Sequence, residues 1–329
     1  MTSRFEEEIG LIKKAVVDFW EGHRSNLAIV SDPFYGESEL MDRVEGMAGM
    51  EGARIDARSI FSSFEALEKA PGRIVMVEEA HRLYCRNIGG FDTLIRFLEM
   101  MSSSDRLFIT TWNSVSWRYL DEVLGLGRYF SKKVSLPKMG ADEIRDMLIS
   151  GYDEGELTFV EEVSNRGDEP RILHRRNIKK SLMGRSLDVP VPVVEIRSIR
   201  SRMTKNEKKS PEDIFFEKLA RISDGNPGVA EHLWEEALDY PKVMDRLRDP
   251  PSIDLGRDDS FALSIILSMG SLNLGEISEV LKPHHLSAER IVGSLEEQRL
   301  IHIEGDVVSV SPDALKGVMG HLGRLRLVW

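Results

Sequence analysis

Short apolar segments that alternate with helical patterns constrain the fold of this 329-residue chain more than any other feature. Apolar runs predict buried strands at residues 27–30, 74–77 and 107–111. "KKVSLP", which ends at Pro137, predicts a short further strand, and a weaker one is indicated near residues 53–55. Helical spacing fills the gaps between them, as in residues 91–101. This alternation predicts an α/β domain with a mostly parallel sheet.

The sequence changes character after Pro137. Helical patterns predominate up to "DPP" at residues 249–251, which indicates a boundary. Three helical segments and two alternating segments around Gly305 and Asp306 then predict a winged helix. We therefore expect three domains. They are an α/β domain at 1–138, an α-helical lid at 139–250 with a basic insert at about 166–210, and a winged helix at 251–329.

Composition and charge limit the class of protein. No apolar run of about 18 residues and no charged leader are present, so we expect no membrane span and a cytoplasmic location. The single cysteine, Cys85, fits a reducing compartment. The net charge of −11 argues against nucleic-acid binding by the whole surface, but residues 166–209 hold 13 Lys or Arg against 5 Asp or Glu. Any contact with a polyanion would concentrate there.

The stretch "SDPFYGES", residues 31–38, lies between the first strand and a helical segment. It matches the outline of the phosphate-binding loop G-x-x-x-x-G-K-[ST] with two exchanges. Ser31 stands in place of the first glycine, and Glu37 stands in place of the lysine. In such loops, the lysine neutralises the outer phosphates of a nucleotide. The outline therefore predicts a nucleotide site, and Glu37 predicts that it is impaired.

Polar residues follow the later strands. Glu78 and Glu79 end the second strong strand, where carboxylates next to a phosphate loop can hold magnesium and polarise water. Asn113 ends the next strand and could orient that water, and Arg128 precedes the strand of "KKVSLP". Each residue also has a structural explanation: a solvated strand end for the glutamates, local capping for Asn113, and an ion pair with a core carboxylate for Arg128.

With these parts in this order, the sequence resembles the AAA+ and STAND-type P-loop ATPases, in the branch where an ATPase core precedes a helical lid and a winged helix, as in origin-recognition-type initiators. The resemblance implies that Glu78 and Glu79 form the acidic strand motif, that Asn113 is the sensor and that Arg128 is the arginine finger. It further implies that Gly225, Asn226 and Pro227 are the lid motif. ATP would then contact Tyr35, Gly36, Glu37, Ser38 and Pro227, and Mg²⁺ would contact Ser38 and Glu78.

The departure at Glu37 decides the expected activity. The exchange removes a positive charge beside a triphosphate and adds a negative one. At about 4 Å and an effective dielectric near 20, each unit-charge interaction amounts to about 4 kcal/mol. We therefore expect ATP and magnesium to bind weakly, with little or no ATP hydrolysis, and a fold retained for another purpose.

Three functions follow as hypotheses. The first is a regulatory or scaffolding subunit that contacts protein partners, either copies of itself or an active ATPase relative whose site Arg128 would complete. The second is a slow ATPase that uses a displaced lysine, Lys132 or Lys133. The third is a DNA-binding initiator-like or transcription-regulatory protein that uses basic residues of the insert: Arg175, Arg176, Lys179 and Lys180. The third winged-helix segment, 287–300, has a net charge of −1, which favours contacts with protein or with the core over contacts with bases.

Overall fold

The computed structural model describes residues 5–23, 25–48, 52–87, 89–160, 210–250, 252–282 and 287–328, together with the backbone of 173–182 and 185–194. The helices are α1 Glu6–Trp20, α2 Glu37–Ala48, α3 Ala57–Ser62, α4 Glu65–Glu68, α5 Asp92–Ser103, α6 Ser114–Leu124, α7 Ala141–Ile149, α8 Pro211–Ser223, α9 Pro227–Ala237, α10 Arg257–Met269, α11 Leu274–Leu281, α12 Ala288–Glu297 and α13 Leu315–Arg324. The strands are β1 Leu27–Ser31, β2 Gly52–Asp56, β3 Ile74–Glu78, β4 Leu107–Asn113, β5 Lys132–Ser135, β6 Thr158–Val160, β7 Leu173–Leu182, β8 Arg185–Val194, β9 Leu238–Asp239, β10 Lys242–Met244, β11 Ser271–Asn273, β12 Ile301–Glu304 and β13 Val307–Val310.

The first five strands form one sheet in the order β2-β3-β4-β1-β5, and every neighbouring pair is parallel. This confirms the α/β prediction, including the weaker strand near residues 53–55. The order also brings β1 between β4 and β5, with β3 on the far side of β4. The carboxyl ends of β1, β3 and β4 therefore meet at one edge of the sheet, which is where open α/β sheets bind ligands.

The core of this domain follows from the apolar pattern of the strands. All five residues of β1 and all seven of β4 are buried, as expected for strands covered on both faces. Helices α1 and α2 pack on one face of the sheet through side chains such as Ile12, Phe19, Leu40 and Val44. This packing fixes the start of α2 against the end of β1.

The carboxyl-terminal part has the predicted winged-helix elements: α10, α11, α12 and the β12–β13 hairpin. Two elements were not predicted. Strand β11 pairs with β13 and makes the sheet three-stranded, and α13 follows the hairpin. Three residues are too few to show the alternation that identifies a strand, so β11 depends on its partner β13.

The middle of the chain is less helical than the sequence predicts. In addition to α7, α8 and α9, it holds a small sheet in the order β6-β10-β9 and a two-stranded ribbon, β7–β8. The prolines of β8 fit this ribbon because both of its strands are edge strands. The side chains of Arg175, Arg176, Lys179 and Lys180 lie outside the described residues.

Two compact units are present along the chain. One consists of residues 1–151, 218–236 and 247–329, so it contains the five-stranded sheet, α9 and the winged helix. The other consists of residues 152–217 and 237–246. The three-domain division of the sequence stays a prediction. Within the described residues, no helix has the length and apolar character needed to cross a bilayer.

Candidate nucleotide site

The phosphate-loop outline lies at the carboxyl end of β1, and α2 begins at Glu37 directly after it. The turn between them needs two residues with positive φ, Phe34 at 66° and Gly36 at 80°. Glycine adopts this conformation without cost, whereas a phenylalanine does so only when its surroundings enforce it. The loop is therefore held by contacts from outside it.

Those contacts come from the core and from the segment before α9. Tyr35 is buried, and its hydroxyl donates to the carbonyl of Pro137 at 2.7 Å. The Asn226 amide donates to the carbonyl of Pro33 at 2.7 Å. A Cβ atom at Gly228 would lie only 1.8 Å from the Phe34 carbonyl oxygen, so the backbone of α9 approaches the loop closely. Two predicted nucleotide contacts, Tyr35 and Pro227, are thus buried packing positions.

Glu37 occupies the lysine position and faces the site. Burial raises the pKa of its carboxyl group above the usual value. Hydrogen bonds from its own backbone N–H and from the Ser31 side chain act in the opposite direction, and the charges of Glu79 and Glu78 raise the pKa further. The Glu37 side chain thus lies at the start of α2, and a helix amino terminus attracts anions.

Each member of the acidic pair is bound to an arginine. Glu78 accepts from Arg54 at 2.7 Å, and both side chains are about one-fifth exposed. Glu79 accepts from Arg82 at 2.7 and 3.4 Å. The Arg82 side chain is 8% exposed, and its guanidinium also donates to the carbonyl and the hydroxyl of Ser271, each at 2.8 Å. The pair is therefore not a solvated strand end, because both carboxylates already have a cation.

Asn113 is also fully engaged. Its side-chain oxygen accepts from the backbone N–H of Val115 at 2.9 Å and so caps α6. Its side-chain nitrogen donates to the carbonyl of Leu267 at 2.8 Å. The local-capping explanation therefore holds, and the second bond joins the core to the winged helix.

His81 and Arg82 follow the acidic pair in a 3-10 turn, Ala80–Leu83. The ring of His81 accepts from the backbone N–H of Asn113 at 3.2 Å and bonds the backbone of Met269. Burial, with the charge of Arg82, lowers the pKa of His81 to about 3. The imidazole is therefore neutral at pH 7.

These residues surround a cavity of about 240 Å³. We call the part formed by Ser31, Asp32, Pro33, Phe34 and Glu37 the loop wall, and the part formed by Glu79, His81, Arg82 and Asn113 the sensor wall. Gly270, Ser271 and Ser309 of the winged helix complete the lining. Among these lining residues the only cation at neutral pH is Arg82, and Glu79 already neutralises it.

The remaining candidate residues lie away from this cavity. Arg128 is exposed, and its guanidinium lies 5.1 Å from the centre of the Tyr129 ring. No carboxylate among the described residues pairs with it. Lys132 and Lys133 pair in register with Leu27 and Ala28, at the amino end of β1 and opposite the loop.

The two predicted magnesium ligands lie on different elements, Ser38 on α2 and Glu78 at the end of β3. Ser38 is exposed on α2, and Glu78 is bound to Arg54. Within the part of the chain that the structure describes, no group of three or more His, Cys, Asp or Glu residues could hold a metal ion.

Sequence reasoning missed Arg82 and the winged-helix contribution. A signal for Arg82 was present, because a cation three residues after Glu79 can pair with it across one helical turn. Ser271, 189 residues further along the chain, gives no such signal.

No protein-family model matches the chain, and no curated protein sequence matches it. Several solved structures are similar over nearly its whole length. The Orc1 protein of Aeropyrum pernix in complex with DNA has 14% identity and a TM-score of 0.40, covering 99% of this chain and 95% of that one. The Orc2 protein of the same organism, in ADPNP–ADP complexes, has 12% identity and a TM-score of 0.41, with 99% and 95% covered. The RuvB Holliday junction branch migration motor of Thermotoga maritima has 12% identity and a TM-score of 0.40, with 97% and 94% covered.

Likenesses at this level of identity and TM-score do not establish a function. The fold assignment rests on the sheet itself: the parallel order β2-β3-β4-β1-β5, with a loop and a helix after β1, is of the P-loop type. The predicted fold class is confirmed.

Proposed function

We propose that this protein is a regulatory or scaffolding subunit built on an AAA+-type ATPase fold, acting through protein contacts with little or no use of ATP. The observation that carries the proposal is the half-buried carboxylate of Glu37 at the start of α2. A triphosphate at that helix start would meet this carboxylate instead of an ammonium group. Each such charge interaction amounts to about 4 kcal/mol at 4 Å in an environment of intermediate dielectric.

The other groups that would hold ATP and magnesium fit poorly. Magnesium, when bound in an active site of this fold, would supply positive charge to neutralise the phosphates. Here Glu78 and Glu79 are paired with Arg54 and Arg82, so a metal ion would have to replace these cations. The cavity of about 240 Å³ is also below the roughly 300–1,000 Å³ of typical ligand pockets.

The positions of Lys132 and Lys133 argue against the hypothesis that either one replaces the missing lysine. Lys132 pairs with Asp18 at 2.7 Å, and the Lys133 ammonium lies 5.5 Å from the centre of the Trp117 ring. Both residues belong to β5, whose register with β1 puts them at the end of the sheet opposite the cavity. Neither can replace Glu37 without a rearrangement of β5.

A nucleic-acid-binding role remains a second candidate, favoured by the ribbon β7–β8. The antiparallel register pairs Arg176 with Val191 and Lys180 with Leu187. A basic ribbon of this kind binds phosphate backbones without reading sequence, so its affinity would fall steeply with salt.

Calorimetry on the purified full-length chain tests the proposal. We expect no heat of binding at micromolar ATP with Mg²⁺, and a dissociation constant, if measurable, in the millimolar range. Titration of a duplex at several salt concentrations examines the second candidate. ATP binding below 1 μM would contradict the proposed function.

A further inference from the structure

The winged helix supplies one side of the candidate nucleotide site, and the contacts are specific. Helix α10 ends at Met269, with Gly270 beyond it at a φ of 78°. The last carbonyl groups of any α-helix have no partner within the helix, and burying them unpaired is costly. At α10 the partners come from the core.

Three core side chains bond successive carbonyls of that last turn. Asn113 donates to Leu267 at 2.8 Å, and Ser116 donates to Ser268 at 2.5 Å. His81 bonds the backbone of Met269. Arg82 extends the series through its two bonds to Ser271, each 2.8 Å long. We call this set of four core residues the latch.

The latch residues are buried, so the core and the winged helix form a packed interface there. Asn113, Ser116, His81 and Arg82 are all at least nine-tenths buried, although each is polar or charged. Burying such groups is tolerated only when their hydrogen bonds are made. Their partners lie more than 150 positions along the chain for Asn113, Ser116 and Arg82.

The latch also overlaps the sensor wall. Asn113 ends β4, where a terminal phosphate would be sensed, and Arg82 holds Glu79, which would polarise water. The same atoms cannot bond both the winged helix and a nucleotide. Winged-helix docking and ligand binding at this site therefore compete for Asn113 directly, and for Glu79 through Arg82, which bonds both Glu79 and Ser271.

We infer that the winged helix is an internal ligand of the sensor wall and keeps it closed, so that docking of α10 and occupation of the cleft oppose each other. This inference rests on the proposed function and adds its regulation. Coupling of this kind is reciprocal: whatever undocks the winged helix opens the sensor wall, and whatever occupies the sensor wall undocks the winged helix. A protein partner that binds the winged helix would undock it and so open the sensor wall.

Hydrogen exchange on the full-length chain tests the docking. Ser116→Ala removes the hydroxyl that donates to the Ser268 carbonyl across the interface, together with its hydrogen bond to the Tyr84 hydroxyl inside the core. Ser268→Ala is the matched control, because it removes a bond of the same type, 2.6 Å to the Ser264 carbonyl, inside α10. We expect roughly ten-fold faster exchange in residues 267–273 for Ser116→Ala, and less than a two-fold change there for Ser268→Ala. Exchange in α13 reports global unfolding and should stay within two-fold in both variants.

Arg82→Met is the second variant, and it should accelerate exchange in residues 267–273 more than Ser116→Ala does. Equal rates in Ser116→Ala and wild type, or acceleration in Ser116→Ala that spreads evenly to α13, would overturn the latch.

The competition has its own test in the Glu37→Lys background. There, saturating ATP with Mg²⁺ should accelerate exchange in residues 267–273 at least ten-fold, and adding Ser116→Ala should tighten ATP binding by a similar factor. ATP binding that leaves this exchange unchanged would disprove the competition. If ATP binds only when Ser116→Ala is added, the inference is supported. If ATP binds neither Glu37→Lys nor the double variant, the proposal that Glu37 is what prevents ATP binding fails. The hydrogen-exchange comparison without nucleotide still tests whether the latch holds the winged helix.

Discussion

The two walls of the candidate nucleotide site are closed in different ways. At the loop wall, the Glu37 carboxyl group lies at the start of α2, in the lysine position of the loop outline. At the sensor wall, polar side chains that could touch a ligand are bonded to the winged helix instead. A local change of one residue accounts for the first closure, whereas the second needs two distant parts of the chain. A nucleotide cleft can thus lose its ligand by charge or by occupation, and these losses are separable.

Reversing the charge at the loop wall should have the largest effect. Glu37→Lys restores the residue type that the loop outline requires, and we expect ATP with Mg²⁺ to bind at least 100-fold more tightly than to wild type. The measurement is calorimetric titration. Glu39→Lys is the matched control, since it makes the same charge change at an exposed position of the same helical turn, and it should alter affinity only a few-fold. Similar gains in both variants would show that net charge, and not the site, sets the affinity.

Substituting the two arginines that bind the acidic pair should lower the free energy of unfolding by different amounts. Arg82→Met should lower the free energy of unfolding by about 2–3 kcal/mol, because it removes a guanidinium that is 8% exposed and leaves the Ser271 carbonyl unpaired, although its partner Glu79 is 36% exposed. Arg54→Met should lower it by only about 1–2 kcal/mol, since two of its three carboxylate partners, Asp42 and Glu45, are more than half exposed. Urea denaturation measures both. A loss for Arg54→Met equal to or above that for Arg82→Met would contradict the closed sensor wall.

The sensor wall should also have a pH signature. The pKa of His81 is lowered to about 3 in the folded protein, from an ordinary value of 6.5. Between those values the unfolded chain binds a proton that the folded chain does not, so stability is highest above pH 6.5 and falls as pH decreases towards 3. The slope from His81 is at most about 1.4 kcal/mol per pH unit.

Denaturation of wild type and His81→Gln at pH 7, 6 and 5 measures this slope. The substitution should flatten it. His321→Gln should flatten it less, because the ring of His321 is less enclosed by charged and buried core groups than that of His81, although burial lowers its pKa too. Parallel curves for wild type and His81→Gln would exclude His81 as the cause.

The sheet could be predicted because each of its strands is specified by residues that are adjacent in the sequence. Residues 27–30, 74–77 and 107–111 are apolar runs that can be satisfied only by burial, and each became a strand. The winged-helix hairpin was also predicted, because alternation around Gly305 identifies it without reference to the rest of the chain. Strand β11 was missed, since three residues become a strand only when β13 is available to pair with them.

The candidate site likewise has one part that the sequence predicts and another that depends on tertiary structure. The sequence by itself determined that Glu37 would stand at the start of α2 and that Glu78, Glu79 and Asn113 would gather at one edge of the sheet, because strand ends and helix starts follow from nearby residues. Tertiary structure decided what those side chains bond. Arg54 becomes the partner of Glu78, and Leu267 the partner of Asn113, only when distant segments pack together. A buried polar group takes the partner that folding brings within hydrogen-bond distance.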